Sequence, residues 1–502
     1  MSLEDSLRAI VGERHVLVRP AELIVYESDG LPGYHRRPSM AVFPADAGEA
    51  LQVVRALAQH GTPFVPRGAG TGLSGGALAD GTVLLGLQRM RRILEIDPVR
   101  RTARVEPGVV NATLTKAASP FGLHYAPDPS SQTACTLGGN LAENAGGPHC
   151  LKYGVTLNHV VGAVVALPDG EVVTLGDPHG EGEAAGYDLI GAFVGSEGCF
   201  GVAIELTVKL TPNPERIVTL LADFTSINDA AVSTSAIIAE GILPAALEMM
   251  DQATIGAVES SIYAAGYPTD AAAVLLVEVD GAAAGLDDDV QAVDRICRAH
   301  GARDVRIATE PAARARLWQG RKKAFGAMGR IAPHLVVQDA VVPRTKLPAL
   351  LAQIAVIGEK HRVKVCNVFH AGDGNLHPNI PYDAGNADES ARVHAAMQEI
   401  MLACIDAGGT ITGEHGVGLD KLAYMDQLFS PDTLDAMCRL RDVFDPNRRA
   451  NPGKVVPVRY CREWRPPASR QMTDDRRPMT EAPADGVERT AYSVQLQDKA
   501  KP

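Results

Sequence analysis

The stretch Pro66-Arg-Gly-Ala-Gly-Thr-Gly-Leu-Ser-Gly-Gly76 decides how the chain is read. Within it, Gly70-x-Gly72-x-x-Gly75 spells the dinucleotide fingerprint, and Glu95 stands about where the ribose acid of that motif would fall. The fingerprint works only where it opens a helix. Here Ala79-Asp80-Gly81 is a turn and 82–87 (Thr-Val-Leu-Leu-Gly-Leu) reads as a strand, so the Rossmann reading fails on context. A glycine-rich loop between two strands still suits phosphate, because N–H groups free of overlying side chains form an anion nest. Five glycines in residues 68–76, with Arg67 adding charge at the entrance, favour that use over a plain surface loop.

Outward from this loop, residues 40–66 read as a βαβ unit. Met40-Ala-Val-Phe43 is a strand, and Asp46 with Glu49 forms a capping box. Leu51, Val54, Leu57 and Ala58 recur at helical spacing, Gly61 closes the helix, and 63–66 returns as a strand. Residues 126–154 form a second small-residue region, whose backbone can approach a flat ring closely. One loop suited to phosphate and one to a ring imply a large cofactor between them. Residues 160–175 read as a hairpin and 202–210 as a strand. Pro212 and Pro214 mark a boundary. Beyond it, strands near 218–224, 273–279, 335–342 and 363–369 alternate with helices near 228–240, 287–300, 312–329, 346–360 and 389–406, with a last helix at 431–444. The expected fold class is α+β: a cofactor-binding domain over 1–214 and an antiparallel-sheet domain over 215–455 whose end returns to the first. A polar, Pro-rich tail over 456–502 shows no periodicity and is expected to be disordered.

With 502 residues, two or three domains are expected. Net charge is −12 and aromatic content 5%, which exclude a basic or stacking surface for nucleic acid. No run approaches the ~20 apolar residues that span a bilayer, and no signal peptide is evident, so a cytoplasmic protein is expected. The eight cysteines are scattered without a Cys-x-x-Cys pair, which argues against a disulfide framework and against an iron–sulfur cluster in this chain.

The chemistry concentrates in two motifs. Residues 366–380 place His370 and His377 on either side of Gly372-Asp373-Gly374, and 410–418 places Glu414 beside His415. In extended backbone these last two point to opposite sides, so one can ligate a metal while the other faces the substrate. Two histidines and a carboxylate leave open positions, as catalytic metal sites do. A metal-dependent hydrolase would also fit that set. Arg321 lies on the 312–329 helix, where a solvent-facing charge is the plainer reading, though a guanidinium fork also suits a substrate carboxylate.

Several pieces together resemble a known family: 66–76, Ala-Pro-Asp-Pro-Ser-Ser (126–131), Ala-Glu-Asn-Ala-Gly-Gly (142–147), His-Cys-Leu-Lys-Tyr-Gly (149–154), Gly-Arg-Lys-Lys-Ala-Phe (320–325), Val-Phe-His-Ala-Gly-Asp-Gly-Asn-Leu-His-Pro (368–378) and Gly-Glu-His-Gly (413–416). The family is the FAD-linked oxidases with a vanillyl-alcohol-oxidase (PCMH-type) flavin domain, and the match runs from roughly 20 to 455. The 320–325 piece points to the glycolate-oxidising branch; D-lactate and D-2-hydroxyglutarate dehydrogenases are relatives. The resemblance implies oxidation of a small 2-hydroxy acid, glycolate first, with hydride passing to non-covalent FAD. It implies that Arg67, Gly68, Ala69, Gly70, Thr71, Gly72 and Gly75 hold FAD from one side. Asp128, Ser130, Thr136, Gly138, Gly139, Asn144, Ala145, Gly146 and Gly147 hold it from another, and Glu197, Gly198, Ile204 and Asn451 complete the pocket. His370, His377 and Glu414 would bind a divalent metal (Zn, Mn or Fe), His415 would be the base, and Arg321 with Asn379 would hold the substrate. It further implies an iron–sulfur partner subunit, a second flavin-domain subunit, and an enzyme at most peripheral to the inner face of the membrane.

Overall fold

The glycine-rich loop joins two parallel strands without any helix between them. Phe64–Arg67 enters it and Val83–Gly86 leaves it, and the two pair in parallel. This is a computed structural model that describes residues 1–31, 33–180 and 186–457; residues 458–502, which include nearly all of the expected tail, lie outside the described residues. The four-stranded sheet runs Val16–Leu17, Met40–Val42, Val83–Gly86, Phe64–Arg67. Its helix, Ala47–Gln59, starts at Asp46, whose carboxylate accepts the Glu49 N–H at 3.0 Å. Glu49 reaches back one residue further than a capping box requires, to the Ala45 N–H at 2.7 Å. Val53, Val54 and Leu57 bury this helix against the sheet, among Val42, Phe64 and Leu85.

A five-stranded antiparallel sheet follows, in the order Ile93–Asp97, Thr102–Val105, Val202–Lys209, Val160–Ala166, Val172–Gly176. Glu95 lies here, on another sheet than the glycine loop, in a surface ion pair with Arg104 at 3.2 Å. Its position relative to the fingerprint is coincidental.

From Arg216 the chain builds a nine-stranded sheet whose strand pairs are antiparallel. From one edge it runs Ala302–Ala308, Arg216–Phe224, Ala273–Gly281, Ala246–Asp251, Cys366–His370. Inside the sheet both faces are covered, so strands such as Ala246–Asp251 and Ala273–Gly281 are buried nearly throughout and their alternation is hidden. Val218, Leu220, Ala222 and Phe224 join one core, with helices Ile227–Ala239, Leu286–Ala299 and Leu347–His361. Leu221, Val274 and Leu276 join the other, with helices Gln252–Glu259, Pro311–Lys322 and Ala324–Met328. The strand Ala246–Asp251 and the edge strand Ala302–Ala308 escape the sequence reading, and the strand expected at 363–369 starts later, at Cys366.

The short helix Cys150–Tyr153 docks the first sheets onto this one. His149 binds Asp128 through Nδ1 at 2.8 Å and Glu278 through Nε2 at 3.2 Å, with its ring against Trp318. Lys152 and Tyr153 both bind Asp280 at 2.5 Å. Among the described residues, no helix is long and apolar enough to cross a membrane.

Candidate active site

One cavity, about 340 Å³ in volume, lies where the halves meet. Its first wall is backbone. Gly70 adopts φ +71°, and a Cβ there would lie 2.2 Å from the Arg67 guanidinium. That guanidinium donates to the carbonyls of Tyr26, Ser28 and Ala77 at 3.4, 2.8 and 3.4 Å. Arg67 therefore braces the loop rather than standing free at its entrance. Within the described residues, the N–H groups of 68–72 make no hydrogen bond, which leaves them for an anion. The second small-residue region packs on the first: a Cβ on Gly68 would sit 2.3 Å from Thr136 Oγ1. This region is helical over Leu137–Glu143, where the sequence suggested a loop. Thr136 caps its start by accepting the Gly139 N–H at 3.3 Å, and Asn144 closes it in the left-handed conformation.

Of the residues assigned to the cofactor, 67–72, Ser130, Thr136, Gly138, Gly139, Ala145, Gly146, Glu197 and Gly198 line the cavity. The others stand behind it. Gly75 packs under Leu419. Asp128 is engaged by His149, and Gly147 lies against the Asp128 carbonyl. Asn144 accepts the Leu157 N–H, and Ile204 is in the core. Asn451 donates to the carbonyls of Gly76 and Glu197 at 2.9 and 2.5 Å, so it clamps the wall from outside.

The second wall is side chains. His370 ends the strand Cys366–His370, and its Nδ1 meets Glu248 Oε1 at 2.7 Å. The Nδ1 of His377 meets the Gln338 carbonyl at 3.1 Å. Both acceptors require the proton on Nδ1, so both Nε2 atoms are left facing Glu414 Oε1, each at 3.2 Å. Two imidazole lone pairs and a carboxylate aimed at one point form the donor set of a divalent cation. His415 belongs to the same cluster. Its ring stacks on His377 at 5.0 Å, and its Nε2 lies 3.9 Å from Glu414 Oε1. The expectation that Glu414 and His415 point to opposite sides fails because 412–416 is not extended. It wraps around Asp339, whose Oδ2 accepts from Thr412 Oγ1 and from the N–H groups of Gly413, Glu414 and His415 at 2.7–3.3 Å. Lys421 Nζ binds the same oxygen at 3.0 Å. Burial pushes the His415 pKa down to about 4, against the pull of Asp339, so at neutral pH this imidazole is unprotonated.

Arg321 is no solvated charge: it is 2% exposed, lines the cavity, and donates from Nε to Glu248 Oε2 at 2.6 Å, with Nη2 in ion-pair contact with the same oxygen at 2.6 Å. Asn379 does not line the cavity. It is fully buried behind His377 and donates to that residue's carbonyl at 2.6 Å. Phe325, Leu335 and Val337 form an apolar lining in the same cavity as Arg321. One further acid was not foreseen. Glu143 lines the cavity with Oε2 unpartnered, and burial, with Glu197 beside it, holds its pKa well above the usual carboxylate range. Glu197 is satisfied by the N–H groups of Val417 and Gly418 at 2.7 and 2.8 Å.

Comparison with known proteins agrees with this geometry. Residues 38–176 match the family described as FAD binding domain, and 213–455 match that described as FAD linked oxidases, C-terminal domain. The chain is 45% identical over 461 residues to the glycolate oxidase subunit GlcD of Escherichia coli (strain K12), covering 91% of this chain and 92% of that one. The chain belongs to the FAD-linked oxidases. A D-lactate dehydrogenase of Anaerostipes hadrus is 32% identical, over 84% of this chain and 90% of that one. The fold is shared with a solved p-cresol methylhydroxylase at 18% identity, with a TM-score of 0.77 over 91% of this chain and 97% of that one.

In this FAD-linked oxidase the glycine wall fits its cofactor. Five unpaired N–H groups suit a pyrophosphate, and at Gly138 a Cβ would strike Pro107 at 2.6 Å, leaving backbone as the surface presented. Family membership also removes the hydrolase reading of the histidine cluster. Glu248 and Asp339, the two carboxylates that orient the cluster, escaped the sequence reading. Their signal was faint: a lone acid inside Ala-Leu-Glu-Met-Met (246–250), and Gln-Asp inside the apolar run 335–342.

Proposed function

We propose that this protein oxidises a small 2-hydroxy acid, glycolate to glyoxylate in the first instance, in an FAD-dependent reaction. The observation that carries this reading is the cavity's division: one wall of free backbone N–H groups, and opposite it a convergent His370–His377–Glu414 donor set with His415 alongside. Bound FAD supplies a ring that accepts the hydride from the substrate carbon. His370, His377 and Glu414 would hold a divalent cation (Zn, Mn or Fe), which lowers the pKa of a substrate hydroxyl placed on it. His415, neutral in this setting, takes that hydroxyl proton. Arg321 orients the substrate carboxylate with the N–H groups that Glu248 leaves unused. With that proton taken by imidazole and the hydride acceptor that FAD would supply, the product would be a 2-oxo acid. Residues 1–214 would carry the cofactor and 215–455 the metal and substrate.

The similarity to the glycolate oxidase subunit supports glycolate. D-lactate is the second reading, favoured by the similarity to a D-lactate dehydrogenase and by Phe325, Leu335 and Val337, which can receive a methyl group. The same apolar lining disfavours the second carboxylate of D-2-hydroxyglutarate. Electrons would leave to an iron–sulfur partner subunit, with a second flavin-domain subunit in the complex.

The test is anaerobic. Glycolate, D-lactate and D-2-hydroxyglutarate are added separately to the flavin-loaded protein, before and after chelation, and flavin absorbance is followed. Bleaching by glycolate that chelation abolishes is the expected result. Bleaching by D-lactate alone moves the chain to the second reading. No bleaching by any of the three overturns both.

A further inference from the structure

Glu248 sits where an acid is least expected. It is 0% exposed, midway along Ala246–Asp251, a strand buried along its whole length. A lone carboxylate there would cost several kcal/mol, so it persists only if paired. It is paired twice. Oε1 accepts from His370 Nδ1 at 2.7 Å, and Oε2 accepts from Arg321 Nε at 2.6 Å with Nη2 in ion-pair contact at 2.6 Å. The first pairing is built into the sheet, because Glu248 and His370 are direct partners in the antiparallel register. Cross-strand partners stand about 5 Å apart, within reach of these side chains. The second pairing comes from the helix Pro311–Lys322, which covers that face.

The two partners have different tasks in the reading proposed above, on which this inference rests. His370 offers Nε2 to the metal, and Arg321 lines the cavity as the carboxylate holder. We propose that Glu248 is a positioning residue that couples the metal donor set to the substrate-binding arginine, through one carboxylate shared between His370 and Arg321. Each oxygen fixes one partner: Oε1 holds the proton on Nδ1 of His370, so that Nε2 remains a ligand, and Oε2 holds the guanidinium fork. The carboxylate is rigid, so a shift of either partner is passed to the other. Among the described residues, no other side chain is hydrogen-bonded or ion-paired to both. The nearby acids serve elsewhere: Asp339 organises 412–415, and Glu278 binds His149, Thr219 and Trp318.

Glutamine at this position breaks the arrangement without changing its shape. An amide has one acceptor oxygen, so it can satisfy His370 or Arg321 and must present N–H₂ to the other. The test reads Mn²⁺ affinity by calorimetry in the flavin-loaded protein, with flavin content and thermal midpoint as controls. Glu248→Gln is expected to weaken Mn²⁺ binding by about 10–100-fold, the usual effect of removing a ligand's outer partner. The sharper readout is Arg321→Lys, which alters no metal ligand. In the Glu248 background it should weaken Mn²⁺ binding by about 2- to 30-fold through the shared carboxylate. In the Glu248→Gln background it should add less than twofold.

If Glu248→Gln does not fold, the Arg321→Lys measurement alone still decides. Mn²⁺ affinity within twofold of the parent in Arg321→Lys overturns the coupling. If the parent protein takes up no Mn²⁺, Zn²⁺ or Fe²⁺ at all, the metal reading falls first and the coupling with it, an outcome distinct from equal affinities.

Discussion

The two walls of the cavity are made on opposite principles. The glycine-rich wall is backbone: glycines at 68, 70, 72, 138 and 139 remove side chains so that N–H groups and flat surface remain. The wall facing it is side chain: histidines, a glutamate and an arginine, each held by a buried partner from a different part of the chain. A backbone wall is specified locally, by which residues are absent. A side-chain wall is specified at a distance, by which residues meet. The first should therefore fail by steric intrusion, and the second by loss of a partner.

Four measurements sharpen or break that contrast. The largest effect is expected for His415→Ala, which should lower kcat by about 10²–10⁴-fold while flavin absorbance and content stay at parent level. A loss of flavin in this variant would show that the walls are not independent. Gly70→Ala should do the reverse. The added Cβ would meet Arg67, and the left-handed backbone alone costs about 1–2 kcal/mol, so FAD affinity should fall roughly tenfold or more. Mn²⁺ affinity should be unchanged; its loss would break the contrast from the other side.

The third measurement concerns the junction. Burial pulls the His149 pKa down, but Asp128 and Glu278 overcome it and raise it to about 10. Against an unfolded value near 6.5, the stabilisation from this raised pKa is complete below that pH and is lost as pH rises towards about 10. The deficit of His149→Gln in urea unfolding should therefore be larger at pH 6 than at pH 9.5. Equal deficits would mean that the ring is held by packing on Trp318 and not by charge. The smallest effect is expected from Asp46→Ala, remote from both walls. Losing this helix cap should cost about 1 kcal/mol of stability and leave turnover and both affinities unchanged.

The contrast also explains what the sequence disclosed. The glycine runs at 66–76 and 138–147 are visible because absence of side chains is a local property, and the missing helix after Gly75 was enough to reject the Rossmann reading. His370, His377, Glu414 and His415 were visible because glycines bracket them. Their mutual geometry was not. Treating 414–415 as extended backbone missed the fold of 412–416 around Asp339, a residue 73 to 76 positions away in the chain. Arg321 looked solvent-facing because the acid that buries it, Glu248, lies 73 residues upstream. The strand Ala246–Asp251 that carries this acid is hydrophobic on both faces and gives no alternation to detect. Asn379 and Asn451 were assigned roles through the family resemblance, yet both spend their amides on backbone carbonyls behind the site.

Asp339 has a consequence for the order in which the molecule assembles. Its Oδ2 gathers three backbone N–H groups, a hydroxyl and an ammonium from residues 412–421, and each contact closes a loop of more than seventy residues. Contacts of that sequence separation are entropically slow to form, and they form only after the strands between them are in place. The 412–416 loop should therefore be the last part of the sheet domain to acquire protection during refolding. Pulsed hydrogen exchange at the N–H groups of Gly413, Glu414 and His415 would show it, by lagging behind the amides of Arg216–Phe224 and Ala273–Gly281.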